Sequence, residues 1–256
     1  MQNNKITLSV VSHGHGKMVK ELLNDLMLNC DIYRVIITIN LKDEKIEYPV
    51  AMEAKIITII NTSPKGFSEN HNYAFKKHCT SEFFCVINPD VRIPQTPFPA
   101  LTNHMKSEDY AIVGPVIKDL EGRIQDSARY FPKPSTLFLK AIGYDVTRFP
   151  STPSNLEVLH PDWIAGMFML IRSSWFQKNP FDEKFFLYYE DIDLCLQCWK
   201  SGNALAFVKE VYVIHNARRD SHKRLFFFAL HIRSILYFFY KNYMRFPEKL
   251  RVRKLH

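Results

Sequence analysis

Residues 6–28 read ITLSVVSHGHGKMVKELLNDLML, and this stretch sets the fold. Ile6–Val11 is a short β-rich run, and Lys17–Leu28 then repeats its apolar residues at helical spacing. Working outward, the same change of period recurs. Val35–Ile39 and Ile56–Ile60 are β-branched runs, Phe67–His78 reads as a helix, and Phe83–Ile87 is a further strand. Strands that alternate with helices predict an α/β protein with a mostly parallel, Rossmann-like sheet and flanking helices. Residues 92–160 are less regular, with a Glu121-Gly122 turn signal and strand-like Ala111–Ile117. They predict connecting elements and site loops rather than a linker. Trp163–Ile171 predicts a buried strand, and Tyr188–Lys200 a helix stopped at Gly202. Leu205–Val208 and Val211–Ile214 predict two short strands.

Length and composition set the bounds. A chain of 256 residues is one large domain or two small ones. Its 46% hydrophobic and 23% charged residues exclude disorder as the main state. Five scattered cysteines do not make a disulfide framework. The longest apolar run, Trp163–Ile171, is too short to cross a bilayer. No secretory signal follows the first lysine, so the expected setting is reducing and cytoplasmic.

The net charge of +8 is uneven. Residues 216–256 hold eleven Lys and Arg against two acids, Asp220 and Glu248, which leaves the preceding chain with 23 bases and 24 acids. The expected division is therefore a domain over 1–215 and a basic amphipathic helical extension over 216–256, packed on the same domain. The extension interleaves its bases with residues such as Leu225, Phe226, Ile232, Leu236 and Tyr240. That pattern suits an anionic membrane surface, at about 1 kcal/mol per base near lipid. It equally suits a helix that packs its aromatics on the body, and it would suit nucleic acid.

Several groups can carry chemistry. No Gly-x-Gly-x-x-Gly follows the first strand and no Gly-Lys-Ser/Thr occurs, so nucleotide phosphates would need another counter-charge, such as a divalent metal on carboxylates. Asn88-Pro89-Asp90 follows a strand at the place where open α/β sheets bind ligands; otherwise it is a plain turn. Glu190-Asp191-x-Asp193 opens a helix after Phe185, Phe186, Tyr188 and Tyr189. Acids at a helix start are favoured by the dipole alone, yet an apolar wall would raise one toward a useful base. His215, ending a strand, could complete a metal site with Asp90, although a lone strand-end histidine is more often structural. Gly66-Phe67-x-x-Asn70-x-Asn72 offers close backbone approach and amide groups to a polar ligand, or is simply a helix entry. Cys195-x-x-Cys198 reads as core packing.

Taken in order, these motifs resemble the family-2, GT-A-fold glycosyltransferases, and within them bacterial rhamnosyltransferases of O-antigen and related polysaccharide assembly. The resemblance runs from Ile6 to about Tyr240. It rests on Val10-Val11-Ser12-His13-Gly14-His15-Gly16, Gly66-Phe67-x-x-Asn70-x-Asn72, Asn88-Pro89-Asp90, Asp126-Ser127-x-Arg129-x-Phe131-Pro132 and Asp162-Trp163-x-x-Gly166-x-Phe168-Met169. Its strongest block is Phe181-Asp182-Glu183-x-Phe185-Phe186-x-Tyr188-x-Glu190-Asp191-x-Asp193-Leu194-Cys195, followed by His215 and His231-x-Arg233-Ser234.

The resemblance implies roles. Val11, Ser12 and His13 would line the base and ribose pocket, with Asn40 near them. Gly66, Phe67, Asn70 and Asn88 would face the nucleotide-sugar. Asp90 and His215 would hold Mg²⁺ or Mn²⁺. Asp191 would be the general base and Glu190 its neighbour orienting the acceptor. Trp163 and Gly166 would floor the sugar pocket, and Arg129 would meet a phosphate or hydroxyl. The implied partners are dTDP-L-rhamnose, a lipid-linked saccharide and an anionic membrane surface, with no nucleic acid, and the implied place is the inner face of the cell membrane. The family's usual acid before Asn40 is Ile39 here, its Gly-Gly before Phe181 is Asn179-Pro180, and its base after Cys195 is Gln197. Rival expectations are a UDP-hexose donor and a non-catalytic scaffold of the same fold.

Overall fold

The computed structural model describes residues 6–27, 29–149, 157–216 and 224–242. The elements run β1 (Ile6–Ser12), α1 (Gly16–Leu26), β2 (Ile32–Ile39), a 3₁₀ turn (Val50–Lys55), β3 (Ile56–Ile60), α2 (Phe67–His78), β4 (Phe83–Ile87) and β5 (Val91–Arg92). Then follow α3 (Phe98–Ser107), β6 (Ile112–Lys118), β7 (Ala128–Arg129), α4 (Pro134–Ala141), β8 (Val158–Leu159), β9 (Trp163–Ile164) and β10 (Phe168–Arg172). The chain continues with α5 (Ser173–Phe176), α6 (Glu190–Lys200), β11 (Leu205–His215) and α7 (Arg224–Asn242).

The main sheet has the order β3-β2-β1-β4-β10-β6-β11-β5, with β8 also paired to β11. Strands β3, β2, β1 and β4 are parallel, and β6 is parallel to β11. β10 lies antiparallel between β4 and β6, so those two halves point the same way. Their C-terminal ends therefore share one edge, where β10 begins. β7 and β9 form a separate ribbon.

Period-2 burial builds the core. Along β4, Phe83, Cys85 and Ile87 face one apolar layer, while Phe84 and Val86 face the other. The first layer takes Val19, Leu22, Leu23 and Leu26 of α1 and Leu101 of α3. The second takes Ile192, Leu194 and Cys195 of α6, Trp175 and Phe176 of α5, and Phe238 of α7. Both faces of β1 are covered, and its polar residues are paired: Thr7 Oγ1 with Ser81 Oγ at 2.7 Å, Ser9 Oγ with His71 Nδ1 at 2.8 Å. Burial takes the His71 imidazole down to about 3, so it stays neutral there. Cys195 and Cys198 are buried thiols in the same layer.

Three expectations are corrected. The run from Trp163 to Ile171 is not one strand; it breaks between β9 and β10, and the break presents Gly166 to the site. The helix expected from Tyr188 starts at Glu190, because Tyr188 and Tyr189 have φ of 71° and 70°. The two short strands near the end are one strand, β11, with a register shift between Val208 and Tyr212.

Candidate active site

The strand ends and loops at the shared edge carry ten of the fifteen expected site residues. Val11 and Ser12 end β1, with His13 in the loop beyond, and Asn40 follows β2. Gly66 and Phe67 open α2, Asn88 and Asp90 follow β4, Gly166 precedes β10, and His215 ends β11.

β5 folds back antiparallel on β11, with His215 opposite Val91. This sets His215 Nε2 3.3 Å from Asp90 Oδ2. The other ring nitrogen, Nδ1, lies 2.8 Å from Gln125 Oε1, while Gln125 Nε2 donates to the His215 carbonyl at 3.0 Å. The Gln125 pairing assigns the imidazole proton to Nδ1. Nε2 then faces Asp90 Oδ2 as one acceptor against another, an arrangement that asks for a cation or a proton between them. Asp90 Oδ1 is buried with no hydrogen-bond partner. These groups fit a divalent ion held by one carboxylate and one imidazole. Among the described residues no cluster of three His, Cys, Asp or Glu side chains occurs, so further ligands would come from substrate phosphate and water. A cavity of about 150 Å³ beside Asp90 is lined by Lys17, Glu21, Arg92 and Asn216 among others. A larger groove of about 970 Å³, lined by α2 and α5 residues, includes Asn72 of the Gly66–Asn72 motif but none of the carboxylates or histidines expected at the site.

The acidic pair is built by a strained turn. Two consecutive left-handed tyrosines cost about 1–3 kcal/mol each. They end a segment whose Phe186 carbonyl accepts the Phe67 N–H at 2.8 Å. Gly66 is required there, since a Cβ would stand 2.7 Å from Phe186 O. Asn72 completes the junction: its amide donates to the Phe181 carbonyl at 2.9 Å and accepts from the Phe181 N–H at 3.1 Å. Asp191 then comes to Gly166, whose N–H donates to Oδ2 at 2.9 Å. The Ile192 N–H donates to Oδ1 at 2.8 Å. Burial nevertheless raises the Asp191 pKa. Glu190 is buried, with Oε2 unpartnered, and its pKa is pushed further up, first by burial and then by the Asp191 charge. The two carboxyls therefore titrate as an interacting pair, each held above its ordinary range. The third acid, Asp193, is occupied by Lys241 at 2.8 Å and Gln197 at 2.7 Å.

Some expected residues are engaged elsewhere. Asn40 and Asn70 lie in a buried amide network: Asn61 Nδ2 donates to Asn40 Oδ1 at 2.8 Å and to Asn70 Oδ1 at 2.7 Å, and the Lys65 N–H donates to Asn40 Oδ1 at 2.8 Å. Their amides fix the loop before Gly66. Asn88 donates its main-chain N–H to Met167 O at 3.0 Å. Ser12 Oγ donates to Glu44 Oε1 at 2.5 Å, and Glu44 Oε2 accepts the Gly14 N–H at 2.9 Å. His13 Nδ1 lies 3.3 Å from Asn40 Nδ2. Arg129 is held by Asp126, by Asp145 at 3.2 Å and by Thr147 at 2.6 Å, so it enters any phosphate contact already paired. Trp163 pairs with Arg129 across the ribbon and donates Nε1–H to the Tyr130 carbonyl at 3.0 Å.

Sequence reasoning missed Gln125, Glu44 and Asn61. Gln125 adjoined a recognised motif; the other two lie in loops without any sequence signal.

Residues 4–232 match the family described as Glycosyltransferase like family 2. The chain belongs to that family. The transferase is 30% identical over 242 residues to rhamnosyltransferase WbbL of Escherichia coli K12, covering 90% of each chain. It is 32% identical over 144 residues to the N-acetylglucosaminyl-diphospho-decaprenol L-rhamnosyltransferase of Mycobacterium tuberculosis H37Rv, covering 53% of this chain and 47% of that one. Its fold matches GalNAc-T7, solved with UDP, GalNAc and Mn²⁺, at a TM-score of 0.64 and 11% identity, over 84% of the transferase and 44% of that chain. It also matches Staphylococcus aureus TarS 1-349 in complex with UDP-GlcNAc at 0.57 and 14%, over 86% and 60%. The transferase thus has the mixed α/β GT-A fold with a central, mostly parallel sheet.

Proposed function

We propose that the transferase moves L-rhamnose, with inversion, from dTDP-L-rhamnose to a hydroxyl of a saccharide carried on polyprenyl diphosphate, in the assembly of O-antigen or a related surface polysaccharide. The observation that carries the reaction type is the Asp191 carboxylate, oriented by the Gly166 N–H and raised in pKa by burial, at the sheet edge that also holds Asp90 and His215. The sugar and the lipid carrier are supported by the names of the Escherichia coli and Mycobacterium tuberculosis relatives.

Asp191 takes the acceptor hydroxyl proton as that oxygen forms its bond to the anomeric carbon. The bond from that carbon to the diphosphate oxygen breaks on the opposite face, and the diphosphate leaves with the electron pair. Glu190, whose pKa burial and the Asp191 charge raise, orients the acceptor through its unpartnered Oε2. Asp90 and His215 would hold Mg²⁺ or Mn²⁺, and the ion when bound supplies positive charge against the leaving diphosphate. Gly66, Phe67, Val11, Ser12 and His13 surround the donor; Trp163 and Gly166 floor the sugar pocket. Residues 1–215 form the transfer domain and 216–256 its extension. The enzyme works as a peripheral protein on the inner face of the membrane.

The test is thermal stability with dTDP, UDP or GDP, each with and without Mn²⁺. A shift for dTDP that needs the metal and disappears in Asp90→Ala is the expected result. A larger shift for UDP moves the donor to a UDP-hexose, and no nucleotide shift overturns the enzymatic reading in favour of a scaffold.

A further inference from the structure

A surface helix normally turns its apolar stripe to the core and its polar face to water. α7 carries apolar residues on both sides. Its inner seam is Ser234, Phe238 and Asn242, one helical turn apart and buried. Ser234 Oγ donates to the Leu187 carbonyl at 2.8 Å, and Tyr237 Oη and Lys241 Nζ donate to Asp182 Oδ2 at 2.9 and 2.7 Å. On the opposite side Leu225, Ile232, Leu236 and Tyr240 follow one another at helical spacing. Leu225 is 86% exposed, Leu236 66% and Tyr240 85%. At 1.5 Å per residue this stripe is about 22 Å long. Phe226 and Phe228 widen it. Single exposed apolar residues are ordinary, but an aligned row is not.

A second element also exposes apolar residues. α4 and the loop beyond expose Phe138, Ile142, Tyr144 and Val146. Lys140 of α4 is near enough to His231 of α7 that its charge, after burial, helps lower that imidazole's pKa. Along the helix itself the charge has one sign. α7 contains no acid, and the sequence on either side of it, outside the described residues, holds Arg218, Arg219, Lys223, Arg245, Lys249, Arg251, Arg253 and Lys254 against Asp220 and Glu248. A second copy on this face would bring like charges together. An anionic bilayer supplies both the apolar depth and the opposite charge. Among the described residues no helix is long and apolar enough to cross a membrane, so α7 would lie in the interface plane.

We infer that the outer face of α7 is the surface by which this protein docks on a bilayer of anionic phospholipid. The inference rests on the membrane setting proposed above, though not on the donor or the sugar. Its consequence is geometric. The inner side of the same helix holds Leu187, Asp182 and Asp193, so docking sets the Glu190–Asp191 pair beside the lipid surface where a polyprenyl-linked acceptor resides.

The experiment is flotation of the full chain with phosphatidylcholine vesicles, with and without phosphatidylglycerol, at two salt concentrations. The comparison is Ile232→Glu/Leu236→Glu, with Leu225→Glu/Tyr240→Glu as a second variant on the same stripe. Expected are binding that needs phosphatidylglycerol, weakening with salt, and a loss of about tenfold or more in each variant with melting temperature unchanged. No binding to phosphatidylglycerol vesicles, or equal binding by the folded variants, overturns the inference. So does a wild-type dimer, without lipid binding, that the same substitutions dissociate. Nucleotide shifts read on the wild-type samples separate the two claims: a wild-type protein that shows the dTDP shift but does not float fails the docking surface alone, and one that floats without the shift fails the donor reading alone.

Discussion

The main-chain N–H of Gly166 points at Asp191 Oδ2 from 2.9 Å, across 25 residues of sequence. A Cβ at position 166 would stand 3.3 Å from Asp191 Cβ and 3.5 Å from Phe67 Cζ. Glycine is present here to let the loop before β10 meet the first turns of α6 and α2 rather than to supply an unusual backbone angle.

Gly166→Ala is therefore expected to displace the carboxylate by a few tenths of an ångström. Misplaced groups cost rate steeply, so kcat should fall about 10- to 100-fold while donor affinity stays within about twofold. Steady-state kinetics with the donor varied measures both. An unchanged kcat would show that Asp191 needs no support from this loop.

Glu190→Gln addresses the buried acid. A carboxyl whose folded-state pKa is raised costs stability once pH exceeds its ordinary unfolded-state value, and costs nothing below both values. The amide carries no charge, so the variant should melt about 2–4 °C higher at pH 8, with the difference vanishing near pH 4. Melting curves across pH give the answer. A variant less stable at pH 8 would mean that the glutamate is paired in its charged form.

Removing the partner of a metal-ligating histidine typically weakens metal binding about 10- to 100-fold. Gln125→Ala, which frees the His215 ring, should raise the Mn²⁺ concentration needed for the dTDP-dependent thermal shift by that factor. Gln125→Glu, which can still accept the Nδ1 proton, should recover most of it. Equal Mn²⁺ dependence in all three proteins would remove His215 from the metal site.

Much of this fold was legible as period. β3, α2 and β4 have the bounds that residue spacing predicts, because short β-branched or apolar runs and an amphipathic helix specify themselves locally. The errors fall where tertiary contacts decide. Tyr188 and Tyr189 carry no turn signal, yet they adopt left-handed angles because the Phe186 carbonyl must meet Phe67 and the acids must meet Gly166. Trp163–Ile171 looks like one strand, since nothing in it announces that Gly166 turns toward another element. The site was legible as motifs, and Asp90 with His215 came together although 125 positions separate them. What a motif does not reveal is how its members are occupied. Asn70, Asn40 and Arg129 are polar residues in the expected motifs, and only the folded chain shows their side chains spent on Asn61, Lys65, Asp126 and Asp145.

The central claim is that Asp191 removes the acceptor proton, and Asp191→Asn tests it with two readouts on one sample. The amide oxygen can still accept the Gly166 N–H, so the loop contact survives. Transfer of labelled sugar from dTDP-L-rhamnose to lipid-linked acceptor should fall by about 10²–10⁴. Metal-dependent dTDP binding, measured by titration calorimetry, should stay within about twofold. Transfer at the wild-type rate, with binding intact, would contradict the account.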